Sequence, residues 1–459
     1  MRLPVSRPLT VTCLAPLALL ALLASGCASS FERQARADLG RSEQQLAEPR
    51  PATEARPAKF KGDLDAYIKY ALEHSPELRA TFEQWRASTY RVSRARRLPN
   101  PVFTYAYFVR SVETRVGPQR HKFRIQQAFP WPTRLSAGAD AASLAARSAQ
   151  KQYEAAALAV TRRVVEAYYQ LWMVHKTRKV QADQKKILDH FSLVARGRLE
   201  VGQGSLADLG QIDLNRARVG DVLSGLGEAE RRTSARLVAA VGAPEGTKTP
   251  VRDSEPAVGL PAETLESLRR AAHQHPRVIA MALMAKSRQE LARSADAGNY
   301  PGFAVAAEYI ETGEAQNPGM ADSGKDPIIV SLSVSLPLWG GYSDDEAEAL
   351  AESAAFRARE TAARDQASSE LEKALSSVRD SARKLRLYKK SLVPQALVVY
   401  ESSIGGYQTG RSSLPTVLMA QRDLLELQLG EYQARADHAV AWARLEEVVG
   451  RPVKSRRSP

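Results

Sequence analysis

The feature of this chain that most restricts its fold is an internal repetition at a nearly constant spacing. Trp131 in Phe129-Pro130-Trp131-Pro132 returns as Trp339 in Leu336-Pro337-Leu338-Trp339, 208 positions later. Gly202 and Ser205 return as Gly410 and Ser413 at the same spacing, and Val241-Gly242-Ala243-Pro244 returns as Val449-Gly450-Arg451-Pro452. Upstream the spacing is 200 between Pro76 and Pro276, and 202 between Pro99 and Pro301. The extra residues of the second copy therefore fall mainly between Pro301 and Trp339, where a loop absorbs them. An internal tandem repeat means that one supersecondary unit was copied, and such a unit is completed by its neighbours rather than alone.

Each copy reads as a helix, two strands, a very long helix, a glycine turn and a further helix. The first repeat is expected over 63–245 and the second over 262–453, with a linker at 246–261 and a basic tail at 454–459. In the first, a helix is predicted over 64–97, with Asp63 as its N-cap and Pro99 and Pro101 as its stop. Alternation at period two then predicts strands at about 102–110 and 121–130. Phe103, Tyr105, Tyr107 and Val109 share one face, and Phe123, Ile125 and Phe129 oppose Lys122, Arg124 and Gln126. Pro132 opens a helix that meets no further proline before about 199. At 1.5 Å per residue that is about 100 Å. Val160, Val164, Ala167, Leu171 and Val174 recur at a coiled-coil period within it. Gly202 and Gly204 break it, Ser205 caps the next helix, and Gly242 and Pro244 end that one.

The second repeat predicts a helix over 262–297 and strands at about 302–311 and 327–337. Ile328, Val330, Leu332, Val334 and Leu336 alternate there with Ser331, Ser333 and Ser335. A long helix over 342–404 follows, kinked at Pro394. Gly405, Gly406 and Gly410 make the turn, and the last helix starts at Ser412 or Ser413. The fold class is thus mainly α with a small β part.

The N-terminus reads as a signal peptide over 1–26: Arg2 and Arg7, an apolar run too short to span a membrane, then small residues. It ends in Leu23-Ala24-Ser25-Gly26-Cys27, which resembles a lipoprotein signal whose cysteine becomes acylated; an ordinary secretory signal is the alternative. Ala28 after the cysteine is similar to an outer-membrane sorting address. Residues 27–62, poor in apolar side chains, then read as a lipidated tether. Cys13 leaves with the signal, so Cys27 is the one remaining thiol and no internal disulfide forms. Of the formal charge of +14, Arg2 and Arg7 leave as well, giving +12. These charges are interleaved with Glu and Asp along helices, without an aromatic and basic platform, which argues against nucleic acid.

Strands with one apolar and one polar or small face suit either a sandwich or a membrane barrel. The count separates the two. Four strands cannot close a barrel, and open edges facing lipid leave backbone groups unpaired at several kcal/mol each. Bacterial barrels begin at about eight strands, so a membrane-spanning sheet here is shared between chains, and three chains would make twelve.

These residues resemble the TolC-like outer-membrane efflux proteins, in their lipoprotein branch. The resemblance runs from about 64 to 452. It is carried by the duplication, the paired strands ahead of long helices, His74-Ser75-Pro76-Glu77-Leu78, Leu98-Pro99-Asn100-Pro101, Phe129-Pro130-Trp131-Pro132 and the turns at Gly202 and Gly410. It implies a homotrimer with a twelve-stranded barrel in the outer membrane and a coiled-coil helical barrel through the periplasm. Such a trimer is the exit duct of a tripartite pump, passing small molecules (drugs or metal ions) from a periplasmic adaptor and an inner-membrane transporter of the resistance-nodulation-division type. By the same resemblance Gly202, Gly204, Ser205, Tyr407, Gly410, Arg411 and Ser413 form adaptor-contacting tips. Asp208 stands where relatives carry a gate aspartate, while Thr416 and Met419 stand where further acids are common, so the double acidic ring is absent. Asp208 either ties to Tyr407 or Arg411 as a gate or is an aspartate favoured by the helix dipole. Pro415 fits the first turn of the last helix.

No enzyme is expected. His273 and His275 lack a third ligand and read as helix-surface histidines, and no Gly-x-Ser-x-Gly or phosphate-binding loop occurs. The remaining alternative is a trimeric coiled-coil lipoprotein spacing the outer membrane from the cell wall, which leaves the alternating strands without a purpose.

Overall fold

Proline and glycine set nearly every element boundary. The computed structural model describes residues 30–46, 58–202, 204–317, 319 and 321–457. The expected signal peptide and Cys27 lie outside the described residues. Helix α1 (Ser30–Gln45) occupies part of the segment expected to be a bare tether. Its few apolar side chains fall on one stripe, so Ala35, Leu39 and the following Leu46 are buried despite the polar composition.

The helix expected over 64–97 is two: α2 (Leu64–His74) and α3 (Pro76–Ala95). Ser75 takes an extended conformation because a proline follows it. Asp63 sits at the N-cap but its side chain makes no cap bond; its carboxylate lies 3.7 Å from Arg252 instead. Strands β1 (Val102–Thr114) and β2 (Gly117–Phe129) follow. They run on past the alternating stretch and meet at a two-residue turn, Thr114 pairing with Gly117. Then come α4 (Pro132–Glu200, 69 residues) and α5 (Leu206–Val241). Of the predicted α4 stripe, Val160, Val164, Ala167 and Leu171 are buried.

The second half repeats the order. Strand β3 (Gly259–Pro261) leads to α6 (Leu265–His273) and α7 (Pro276–Asp296), again split ahead of a proline. Thr264 caps α6 by accepting from Ser267 N–H. Strands β4 (Gly302–Thr312) and β5 (Ile328–Ser335) precede α8 (Tyr342–Leu387). Pro394 does not simply kink the next helix. A π-helical turn (Tyr388–Leu392) lies in the continuous helix directly ahead of α9 (Val393–Gln408), so the ladder is already widened where Pro394 supplies no N–H. Helix α9 runs through Gly405 and Gly406, which were expected in the turn. Helix α10 (Leu414–Val449) follows, and the expected basic tail ends in strand β6 (Ser455–Arg457), which pairs antiparallel with β3.

The chain forms two compact units. One contains residues 85–148 and 283–357, with the four-stranded sheet β1-β2-β4-β5. Its helices meet through small side chains: Ala137, Ala141, Ala285 and Ala292 are buried. Serines donate across the contacts, Ser287 to the Ala141 carbonyl at 2.8 Å and Ser353 to that of Ala285 at 2.9 Å. The other unit contains residues 42–84, 149–282 and 358–459. Leu268, Leu371, Leu375, Val378 and Leu445 centre one of its apolar cores. Two motifs distant in sequence meet there twice. Gly242, at φ +70°, packs so tightly on His74 and Pro76 that a Cβ would lie 3.0 Å from each. Gly450, at φ +78°, packs likewise on Pro276 and His275.

Candidate functional site

Register shows what each face of the sheet carries. Across the four strands Phe103, Ile125, Ala307 and Val330 form one row, and Tyr105, Phe123, Tyr309 and Ile328 the next. Phe129, Phe303 and Val334 continue the same face on three strands. It is uncovered: Val330 is 75% exposed and Val109 88%. The intervening rows carry the polar and small residues, with Thr104 beside Arg124 and Glu308, and Gln126 beside Ala306 and Ser331, together with the apolar Val102, Ile310 and Ile329. Strands β1 and β5 each have one neighbour, so both outer edges of the sheet carry unpaired backbone groups.

At the strand-to-helix junction aromatic rings collect. Trp131 stacks on Tyr300 with centroids 5.2 Å apart, Phe303 lies 6.3 Å from Trp131, and the Arg134 guanidinium sits 5.2 Å from the Tyr342 ring centroid. Trp339 is 94% exposed. An apolar band ending in Trp and Tyr is the pattern of a membrane–water boundary.

The two glycine turns lie together in the helical unit. Ala195 from α4, Ile212 from α5 and Leu414 from α10 form one small core, closed by Phe191, Leu209, Tyr407 and Leu418. Gly202 has φ +71° and Gly410 +74°, values that disfavour any side chain. Gly204 is required for a different reason: a Cβ there would meet the Leu199 nitrogen at 2.7 Å. Ser205 Oγ accepts from Ala207 N–H at 3.2 Å and so caps α5. Ser413 caps by backbone position alone, because its hydroxyl pairs with Thr416 Oγ1 at 2.9 Å. Gly406 lies in the helix, where a Cβ would meet Ser412 Oγ at 2.3 Å.

Of the expected gate residues, Asp208 is in the first turn of α5 and Tyr407 is half-buried in the turn core. Arg411 donates to Thr409 Oγ1 at 3.1 Å, and Arg198 lies 5.1 Å over the Tyr407 ring. Among the described residues no ion pair joins Asp208 to Arg411. Arg198 was not marked by the sequence, since only the tertiary pairing of α4 with α9 gives it a role. His275 is not the surface histidine expected but is buried, while His273 Nε2 lies 2.8 Å from Ser368 Oγ. Among the described residues no cluster could hold a metal, and no helix is long and apolar enough to cross a membrane.

Residues 267–451 match the family described as outer membrane efflux protein. No curated protein matches the sequence. Among solved structures, the outer membrane protein VceC of Vibrio cholerae is similar at 19% identity and TM-score 0.67, over 85% of this chain and 96% of that one. The CmeC outer membrane channel of Campylobacter jejuni is similar at 14% identity and TM-score 0.67, over 84% and 85%. The MtrE outer membrane channel of Neisseria gonorrhoeae, in its open state, is similar at 15% identity and TM-score 0.67, over 86% and 91%. The second half of the chain thus matches the outer membrane efflux protein family, and most of the chain shares its fold with these outer membrane proteins.

Proposed function

We propose that three copies of this chain close their sheets into one twelve-stranded barrel across the outer membrane, continued by a periplasmic tunnel of helices. The observation that carries this is the sheet: one face mostly apolar from the Tyr105 row to the Phe129 row, broken only by Gln127, and both edges, β1 and β5, without partners. In hydrocarbon each unpaired edge group costs several kcal/mol, and pairing β5 of one copy with β1 of the next removes both edges at once. Exposed Leu206, Leu214, Val222 and Met419 on the helices are covered in the same step.

The assembly is a passive conduit for small molecules rather than an enzyme. Its glycine turns, at Gly202, Gly204 and Ser205 and at Tyr407, Gly410, Arg411 and Ser413, meet a periplasmic adaptor that links it to an inner-membrane transporter of the resistance-nodulation-division type. Cys27 carries the acyl chains that hold the N-terminus at the membrane. A spacer lipoprotein remains the weaker reading, because it gives the apolar sheet face nothing to contact.

Electrophoresis in mild detergent tests the assembly. Unheated protein should migrate as a trimer with measurable sheet content by circular dichroism, and boiling should convert it to monomer. A monomer soluble without detergent overturns the proposal.

A further inference from the structure

The polar face of the sheet is not electrically neutral. Lys122 and Arg124 project from it on β2, and Glu308 on β4 stands directly across from Arg124 in the register. The Glu308 carboxylate nevertheless takes Lys122, at 2.7 Å. Arg124 is left donating to the neutral Gln126 Oε1 at 2.9 Å. Its Nε is shielded from solvent and has no hydrogen-bond partner among the described residues. The other residues in these rows are uncharged: Thr104 and Ala106 on β1, Ala304 and Ala306 on β4, Ile329, Ser331 and Ser333 on β5. Within these rows one cation per chain is therefore in excess, and it is Arg124; Arg110 and Arg120 lie further along the hairpin, outside the rows.

We propose that Arg124 makes the channel wall anion-selective, favouring passage of anionic cargo over cations. This rests on the trimeric barrel, in which the polar face lines the lumen and Arg124 recurs three times at one level. Twelve strands spaced by about 4.8 Å and tilted by about 40° enclose a cylinder roughly 24 Å across between backbones. The Debye length is about 8 Å at physiological salt and about 30 Å at 0.01 M. The field of three guanidinium groups thus hugs the wall in concentrated salt and fills the lumen in dilute salt. Selectivity must fade as ionic strength rises, which separates a wall charge from a size filter.

Reversal potentials in planar bilayers test the assignment, using purified full-length protein across a gradient of about 10 to 100 mM potassium chloride. The parental channel should pass chloride in preference to potassium. Arg124→Gln should move the reversal potential toward zero, and Arg124→Lys should restore it. Glu308→Gln, which releases Lys122, should move it further to the anion side, giving a second readout that does not depend on altering Arg124. Intact currents with the same reversal potential in all four proteins overturn this assignment and leave the channel standing. Inserted trimers that carry no current overturn the channel itself, and the selectivity with it.

Discussion

At the scale of single residues, His275 shows how a side chain acquires a property from packing alone. Its Nδ1 accepts the Arg277 backbone N–H at 3.1 Å, which requires the neutral ring. Burial, and then the Arg277 guanidinium, push its pKa down to about 4. In the unfolded chain it titrates near the ordinary value of about 6.5. The unfolded state therefore binds a proton that the folded state refuses. The stabilisation is whole above about pH 6.5 and is lost as pH falls toward about 4. Melting temperatures of His275→Asn, whose side-chain oxygen can accept the same N–H, should fall less between neutral and mildly acid pH than those of the parent. Equal acid sensitivity would contradict the reading. None of this was legible in His273-x-His275, because the cover over His275 comes from the end of α10, 175 positions away at Gly450. Ser205 and Gly242 were legible, because a cap is a local device that acts within a few residues of itself. Asp63 had the right residue type for a cap, but its carboxylate lies near Arg252 on a distant segment.

At the scale of elements, alternation carried the strands where it was uninterrupted, as at Ile328 to Leu336. It failed where Arg110, Glu113 and Arg120 break the pattern near the β1–β2 turn, so the hairpin is longer than its apolar residues suggest. The splits ahead of Pro76 and Pro276 were available from local sterics and were overridden by the apolar periodicity on either side. The turns at Gly202 and Gly410 rest on backbone conformation rather than side-chain chemistry. Gly410→Val forces a β-branched residue to φ +74°, a local cost of about 1–2 kcal/mol. The surrounding helices can carry that cost, so trimers should persist on unheated gels while export from intact cells is lost. Export at the parental rate would remove the turn from the adaptor contact.

At the scale of the whole molecule, the mainly helical class came directly from the sequence, whereas strand order did not. That β2 pairs with β4, joining the two halves in one sheet, depends on pairing between strands about 180 positions apart that no local pattern encodes. Membrane attachment is the whole-molecule property that a single atom tests. Cys27→Ser should abolish incorporation of radiolabelled palmitate while the barrel still assembles; label retained by the variant would place the lipid elsewhere or deny it. The π-helical turn between α8 and α9 has a consequence of its own. Gly430 on α10 makes room for Tyr388 within that turn, where a Cβ would sit 2.8 Å from the ring. One additional residue advances an α-helix by about 100° about its axis. The turn therefore works as a phase shifter, rotating the stripe that Leu371, Val378 and Leu385 bury into the different angular setting that Ser403 and Tyr407 occupy. Deleting one residue there would leave both flanking helices intact yet dial the wrong side chains toward the helical core.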